Sequence, residues 1–221
     1  FSNRELYGVD STLIKGLDVV DTNTRALDMS QIGRVLTGDE AALKGGPPVT
    51  VLFNQNINPA EVAPETTKVI DGMMRDDLFP CVHEQFMTAS AKLADIVLPA
   101  TMFLEHEDMY QGGGHVYLQV HKALIEAPGE CRSNVEVING IARRLGSDYP
   151  AFHMTAWELI DDALKRGGRP GADEVHAGGW LDCTKSFEDA HFLDGFGHAD
   201  GRFHFAADWS AIGADYDAMS S

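Results

Sequence analysis

Short apolar runs alternate with helical patterns in the first half of the chain, and this alternation constrains the fold most strongly. The runs have the length and β-branched content of strands buried on both faces; they are residues 48–53, 78–82 and 95–98. Between them the sequence predicts a helix that begins near Pro64 and a short helix over residues 88–93. Because crossovers between parallel strands are right-handed, this β-α-β-α-β order predicts three parallel strands in one sheet, with helices on its faces.

Two capping boxes predict longer helices in the second half of the chain. Ser133 is followed by Glu136, and Thr155 is followed by Glu158, so each pair has the S/T-x-x-E spacing that opens a helix. Both helical patterns then end at a glycine, a residue favoured just after a helix. The helices are therefore expected to end at Gly146 and Gly167.

These elements predict an α/β protein whose main part is a parallel βαβ domain with three layers (αβα). We expect residues 1–46 to form a connecting segment with a helix near 30–37, and residues 47–167 to form the α/β domain. Within that domain, residues 116–120 alternate in the manner of an edge strand. Residues 168–221 show little periodicity and are expected to form an irregular C-terminal extension.

The acidic composition argues against a nucleic acid partner. The 221 residues include 17 Lys and Arg against 34 Asp and Glu, a formal net charge of −17. This charge repels a phosphate backbone, and the basic residues are scattered along the chain. The sequence also contains no apolar run near the roughly 20 residues that a membrane-spanning helix needs. We therefore expect neither a nucleic acid partner nor a membrane span.

The cysteines and histidines do not form a recognisable metal-binding pattern. Cys81, Cys131 and Cys183 are far apart in the sequence and include no C-x-x-C pair. We interpret them as reduced cysteines with a structural role. The histidines include no H-E-x-x-H motif. The chain alone is therefore expected to bind no metal.

Polar residues crowd the predicted strand ends. Strand one ends in "NQNINP", strand two in "HEQFMT" and strand three in "PATMFLEHED". In open α/β sheets, ligands bind outside the carboxyl ends of the strands, so these segments predict a binding site there. No G-x-G-x-x-G follows a strand and no P-loop is present, so an ordinary dinucleotide or triphosphate site is not predicted.

Glu84 is the candidate ligand contact in this region. A carboxylate just beyond a strand end can accept two parallel hydrogen bonds, which is what the N1–H and exocyclic amine of guanine require. Thr88, at the start of the next predicted helix, suits a polar or phosphate group. The alternative is that Glu84 only caps the helix that begins at Thr88.

Three stretches carry a resemblance to the molybdopterin oxidoreductase family. They are "HEQFMTASAKLADIVLPATMFLEHED", the preceding "NQNINPAEVAP" and the following "APGECRSNVEVINGIARRLG". The motif T-x-x-A-x-x-A-D-I-V-L-P, from Thr88 to Pro99, is specific to proteins similar to dimethyl sulfoxide reductase, formate dehydrogenase and periplasmic nitrate reductase. The resemblance covers roughly residues 28–165.

The resemblance implies a bis(molybdopterin guanine dinucleotide) cofactor that carries molybdenum or tungsten. It also implies that the chain is a fragment that supplies part of one guanine dinucleotide pocket, with the remaining domains of the parent chain as its partners. An iron–sulfur cluster, the metal-ligating residue, a C-terminal domain and any targeting signal are expected outside these residues. The fragment alone is expected to bind no cofactor and to be inactive.

The resemblance also assigns candidate cofactor-binding residues. Asn56 stands where relatives commonly have glycine, Glu84 where they have aspartate, and His106 where some have lysine. Asn134 stands where aspartate is frequent. The full set is Asn56, Asn58, His83, Glu84, Thr88, His106 and Asn134.

Two other kinds of function fit the same βαβ pattern. A stand-alone nucleotide-binding module would explain Glu84 without metal chemistry, and binding of guanine nucleotides by the isolated chain would favour it. A non-catalytic interaction domain similar to the large subunit of respiratory complex I needs the same sheet but no cofactor. Metal and pterin analysis of the complete parent distinguishes that domain from an enzyme.

Overall fold

The chain divides into two compact units. The computed structural model describes residues 25–112 and 114–205. Of these, residues 25–100 belong to the first unit and residues 101–203 to the second. Most of the expected N-terminal connecting segment (1–24) and the last part of the expected C-terminal extension (206–221) lie outside the described residues. None of the described helices is long and apolar enough to cross a membrane.

A parallel three-stranded sheet forms the first unit. Its strands are β1 (Val51–Gln55), β2 (Phe79–Glu84) and β3 (Ile96–Pro99). They lie in the order β1-β2-β3, and both neighbouring pairs are parallel. This confirms the predicted parallel β-α-β-α-β arrangement.

Four short helices accompany this sheet. They are α1 (Ile32–Leu36), preceded by a 3₁₀ turn at Met29–Gln31, then α2 (Pro59–Val62), α3 (Thr66–Met73) and α4 (Ala89–Lys92). The helix expected near residues 30–37 is therefore confirmed. Helices α1 and α3 bury Leu36, Val69 and Met73 in one core, to which Leu52 of β1 and Leu93 at the end of α4 contribute.

The apolar run of the first strand predicted burial on both faces, but only one face is buried. Leu52 faces the core formed by α1 and α3. Val51 points to the opposite side of the sheet and is 63% exposed, and its neighbour Phe79 on β2 is 46% exposed. An apolar run shows that a strand can be buried on both faces, but helices from elsewhere must supply the cover.

The second unit contains an antiparallel sheet that the sequence patterns did not predict. Its strands are β4 (Asp108–Gln111), β5 (Tyr117–His121) and β6 (Leu181–Asp182), in the order β4-β5-β6. Strand β5 was expected at an edge and is instead central. The sequence of β5 alternates because Leu118 and Val120 face the core while their neighbours face outward. Any strand that is buried on one side shows this alternation, whether it lies at the edge or in the centre of a sheet.

The helices of this unit include both of the predicted longer ones. They are α5 (Asn134–Arg144), α6 (Ala156–Arg166), α7 (Ala172–Gly178) and α8 (Phe187–Ala190), with a 3₁₀ turn at Pro150–His153. Both capping boxes are formed, at Ser133 and at Thr155. The region after Gly167 is more regular than expected, since α7 packs Ala172 and Val175 into the core of this unit. A helix of two turns is too short to give a clear periodicity.

Candidate functional site

A cleft of about 300 Å³ lies at the carboxyl edge of the parallel sheet. The three strand ends supply its walls, as expected for an open α/β sheet. The lining residues are Asn56, Ile57, Asn58, His83, Glu84, Gln85 and Ala100. Four of the residues predicted from the sequence, Asn56, Asn58, His83 and Glu84, therefore lie around one cleft.

The loop after β1 has the backbone conformation of a glycine position. Asn56 has φ 59°, in the left-handed region that glycine adopts readily and that asparagine tolerates better than most other residues. Asn54, which is buried, supports the loop by donating from Nδ2 to the carbonyl of Ile57 at 2.8 Å. Asn56 therefore allows a tight turn in a backbone conformation that glycine also adopts.

Asn58 joins this loop to α4. Its Oδ1 accepts hydrogen bonds from the Ser90 backbone N–H at 3.1 Å and from the Ser90 hydroxyl at 2.7 Å. The Ser90 Oγ in turn accepts from the backbone N–H of Ala60 at 3.0 Å. Ser90 is fully buried. The Asn58 side chain therefore fixes the loop after β1, which lines the cleft, against α4.

Ser90 was not among the residues predicted for the site. It contacts a loop 32 residues earlier in the chain, and a single serine inside the motif carries no sequence signal for that contact. Its role follows from the packing of α4 against the loop after β1.

His83 forms the buried part of the cleft. The side chain is 1% exposed, and its Nδ1 lies 3.0 Å from Nε2 of Gln55 on the neighbouring strand. The Gln55 amide nitrogen is a donor, so Nδ1 of His83 is the acceptor of this bond. The pair holds the imidazole in one orientation beside Glu84.

Glu84 ends β2 and lines the cleft, and only one of its two carboxylate oxygens is hydrogen-bonded within the described part of the chain. Oε1 accepts from the backbone N–H of Gln85 at 2.7 Å. Oε2 has no hydrogen-bond partner in the described part of the chain. The backbone carbonyl of Glu84 accepts from the Ala100 N–H at 3.0 Å, which joins the ends of β2 and β3.

The helix that follows is capped by Thr88, so the alternative role for Glu84 as a cap is wrong. Thr88 Oγ1 accepts from the backbone N–H of Ala91 at 3.2 Å. This bond uses the hydroxyl as an acceptor, and Thr88 does not line the cleft. Thr88 therefore fixes the start of α4, and direct contact with a ligand stays a prediction.

His106 and Asn134 belong to the second unit. His106 Nδ1 is hydrogen-bonded to the Thr101 hydroxyl at 2.8 Å, and its Nε2 lies 3.6 Å from a carboxylate oxygen of Asp108. His106 lines a separate cleft of about 510 Å³ with Arg132, whereas Asn134, the first residue of α5, does not line it. Their proposed contacts with a cofactor stay predictions.

The described residues contain no cluster of three or more His, Cys, Asp or Glu side chains that could hold a metal ion. All three cysteines are free thiols. Burial raises the pKa of the Cys81 thiol, and burial is also the main cause of the raised pKa of Cys183. Thiols with a raised pKa are protonated at neutral pH and react slowly, which agrees with a structural role.

Comparisons with known proteins identify a family that matches this chain and several relatives. The profile of the family described as "Molybdopterin oxidoreductase" matches residues 17–144. A protein named "Probable oxidoreductase YoaE" from Bacillus subtilis is 40% identical over 151 residues, which cover 68% of this chain and 21% of that protein. The alpha subunit of the F420-dependent formate dehydrogenase 2 from Methanococcus maripaludis is 27% identical over 130 residues, 59% of this chain and 19% of the subunit.

A solved structure with a similar fold is acetylene hydratase from Pelobacter acetylenicus. The superposition has a TM-score of 0.58 at 22% identity and covers 76% of this chain and 23% of that enzyme. At this identity the similarity supports the fold alone. The chain spans about a fifth of the length of the curated relatives it matches.

Proposed function

The chain belongs to the molybdopterin oxidoreductase family, and on that premise we propose that its first unit binds the guanine nucleotide end of a molybdopterin guanine dinucleotide. The family implies a pterin cofactor that carries molybdenum or tungsten. When bound, that cofactor supplies the redox chemistry, while the protein binds and orients it. The residues of this chain then act on the nucleotide, at a distance from the reacting atoms.

One observation carries the proposal: the Glu84 carboxylate borders the cleft with Oε2 free to accept hydrogen bonds. Guanine presents its N1–H and exocyclic amine side by side, and a carboxylate accepts from both at once. Because each carboxylate oxygen has two lone pairs, Oε1 can keep its bond from Gln85 and accept a second one. The hydrogen-bond acceptors of the Glu84 carboxylate therefore match the two donors of guanine.

The walls of the cleft are held in place before any ligand binds. Asn56 holds the turn in the left-handed conformation, and the bonds of Asn58 to Ser90 fix the loop against α4. His83 is held by Gln55. A preformed site loses less conformational entropy on binding, so each hydrogen bond to the ligand contributes more of its energy to affinity.

We further propose that the chain is one part of a larger oxidoreductase. The iron–sulfur cluster, the ligand of the metal and the substrate contacts would then belong to other parts of the polypeptide. Thr88 supports the nucleotide site by fixing α4. Direct cofactor contacts of Thr88, His106 and Asn134 are part of the proposal.

The test is analysis of the complete protein, purified without denaturation. We expect molybdenum or tungsten together with a pterin, and guanine nucleotide released from that cofactor on acid hydrolysis at close to the stoichiometry of the pterin. A pterin without guanine nucleotide would refute the assignment of the cleft. A folded complete protein with neither metal nor pterin would instead support the non-catalytic interaction domain.

A further inference from the structure

The cleft at the carboxyl edge of the parallel sheet has no lysine or arginine to meet a phosphate. Among the described residues that line it, Glu84 is the one acidic side chain and none is Lys or Arg. A second carboxylate lies beside the lining, because Oε2 of Glu61 accepts a hydrogen bond from Nδ2 of Asn58 at 2.6 Å. Sites that bind phosphates normally present Arg or Lys side chains to them, so the charge around this cleft is of the wrong sign for a phosphate.

The basic residues of the first unit are bonded elsewhere or lie at the far end of a helix. Residues 25–100 include six of them. Five donate to backbone carbonyls of residues 26–49 or to the carboxylates of Glu65 and Asp77; they are Arg25, Arg34, Lys44, Lys68 and Arg75. The sixth, Lys92, ends α4, three residues before Asp95, whose N–H donates to the carbonyl of Pro80 near the amino end of β2. Helix α4 therefore leads away from the cleft, and Lys92 lies at its far end.

The helices that begin at this edge of the sheet do not replace the missing cations. Helices α2 and α4 have four residues each. The N–H of Ala60 in α2 donates to Ser90 Oγ, and in α4 the N–H groups of Ser90 and Ala91 donate to Asn58 and Thr88. A helix start binds phosphate through several free N–H groups, so these two short helices do not provide that kind of site.

We propose that the cleft binds the guanine nucleoside end of a ligand and rejects free guanosine phosphates. The inference rests on the proposed function in one respect, that Glu84 binds guanine. GDP and GTP carry roughly three and four negative charges at neutral pH, and in this cleft they would lie close to the carboxylates of Glu84 and Glu61. The diphosphate of a dinucleotide has no terminal phosphate and carries roughly two charges. The cleft therefore selects the end of a dinucleotide over the free nucleotides.

This selectivity reverses the order of affinity that an ordinary guanine nucleotide-binding module shows. Such a module holds phosphates with cations and free N–H groups, so each added phosphate contributes to its affinity. In the cleft of this chain each added phosphate brings repulsion, and affinity is expected to fall from guanosine through GMP and GDP to GTP. The order of the four affinities therefore distinguishes the proposed cleft from a stand-alone nucleotide-binding module.

Titration of the 221-residue chain with guanosine, GMP, GDP and GTP, in the absence of Mg²⁺, measures this order. The backbone amide chemical shifts of Asn56, Glu84 and Gln85 report the weak binding expected of a chain that supplies part of a pocket. We expect GTP to bind about tenfold more weakly than guanosine at low ionic strength, and about twofold more weakly in about 0.3 M salt, because salt screens the repulsion. A site that attracts phosphates would instead lose affinity for GTP as salt rises. Binding of GTP that equals or exceeds that of guanosine would overturn the proposal.

Glu61→Gln tests whether the repulsion is local to the cleft. The substitution removes one charge and keeps an oxygen that can accept from Asn58. We expect affinity for GTP to rise about threefold and affinity for guanosine to stay within about twofold of the parent. Asp71→Asn is the matched control, because Asp71 is exposed on α3 and the change in net charge is the same. Equal gains in the two variants, or no gain in Glu61→Gln, would overturn the proposal.

The same titration separates failure of this inference from failure of the proposed function. If guanosine and GTP shift the same amides with equal affinity, guanine recognition stands and only the rejection of phosphates is refuted. If guanosine shifts none of these amides, guanine recognition by Glu84 is refuted, and the selectivity of the cleft falls with it. Adenosine is the control ligand; it lacks the paired N1–H and exocyclic amine, so we expect it to leave the Glu84 amide unshifted.

Discussion

Replacing Glu84 with glutamine tests the nucleotide site most directly. The substitution keeps the length and shape of the side chain but converts one carboxylate oxygen into an amide N–H donor. In the native cleft Oε1 accepts from the Gln85 N–H and Oε2 is free. With guanine bound, the new donor would face the N1–H or the exocyclic amine, and two donors would oppose each other.

Rotation of the amide does not remove this conflict. If the glutamine oxygen turns towards guanine, its nitrogen faces the Gln85 N–H, which then loses the acceptor it has at 2.7 Å. Hydrogen bonds to charged groups contribute about 1.5–3 kcal/mol, and an unsatisfied buried donor costs a similar amount. Cofactor retention is therefore expected to fall by about 10- to 100-fold.

The assay measures guanine nucleotide released per molecule of purified complete protein, together with the melting temperature. Glu84→Asp is the matched control because it keeps both carboxylate acceptors; we expect it to retain most of the cofactor. Since Thr88, and not Glu84, caps α4, neither substitution should destabilise the apo protein by more than about 1 kcal/mol. Full occupancy in Glu84→Gln would refute guanine recognition by this carboxylate.

Three further predictions concern the support of the site and of the fold. Asn56→Gly should leave stability nearly unchanged, whereas Asn56→Val should cost about 1–2 kcal/mol in urea unfolding because φ is 59°; equal values for the two variants would contradict the backbone argument. Ser90→Ala should cost about 1–3 kcal/mol, since the buried Ala60 N–H loses its acceptor and Asn58 loses one donor, and a cost like that of an exposed serine would refute it. Hydrogen bonds from the backbone N–H and hydroxyl of Thr155 lower the pKa of Glu158 in the folded protein. The stability that the ionised Glu158 adds to the fold is therefore complete above the unfolded pKa of about 4.3, and it is lost as the pH falls through the lower folded pKa. Urea unfolding of Glu158→Gln and the parent should therefore converge in stability towards pH 3, and a constant difference would exclude this linkage.

Local signals made part of the structure predictable from the sequence. The capping boxes at Ser133 and Thr155 formed as expected, because a cap depends on residues three positions apart. The parallel order of the three strands followed from the alternation of apolar runs and helices together with crossover handedness. Since parallel strands end at one edge, Asn56 and Glu84 could be placed around a shared cleft before the structure was known.

The remaining features depend on contacts between distant parts of the chain, and the tertiary structure alone decided them. An alternating pattern reports which side of β5 is buried and does not report whether strands pair on both edges, so its central position could not be read from residues 116–120. The capping bond of Thr88 to Ala91, and the bonds of Ser90 to Asn58 and Ala60, depend on how α4 packs against the loop after β1. The sequence determined which groups follow each strand; which partners satisfy those groups was decided by the packing of α4 against the loop after β1, because hydrogen bonds form only between groups that the fold brings within about 3 Å.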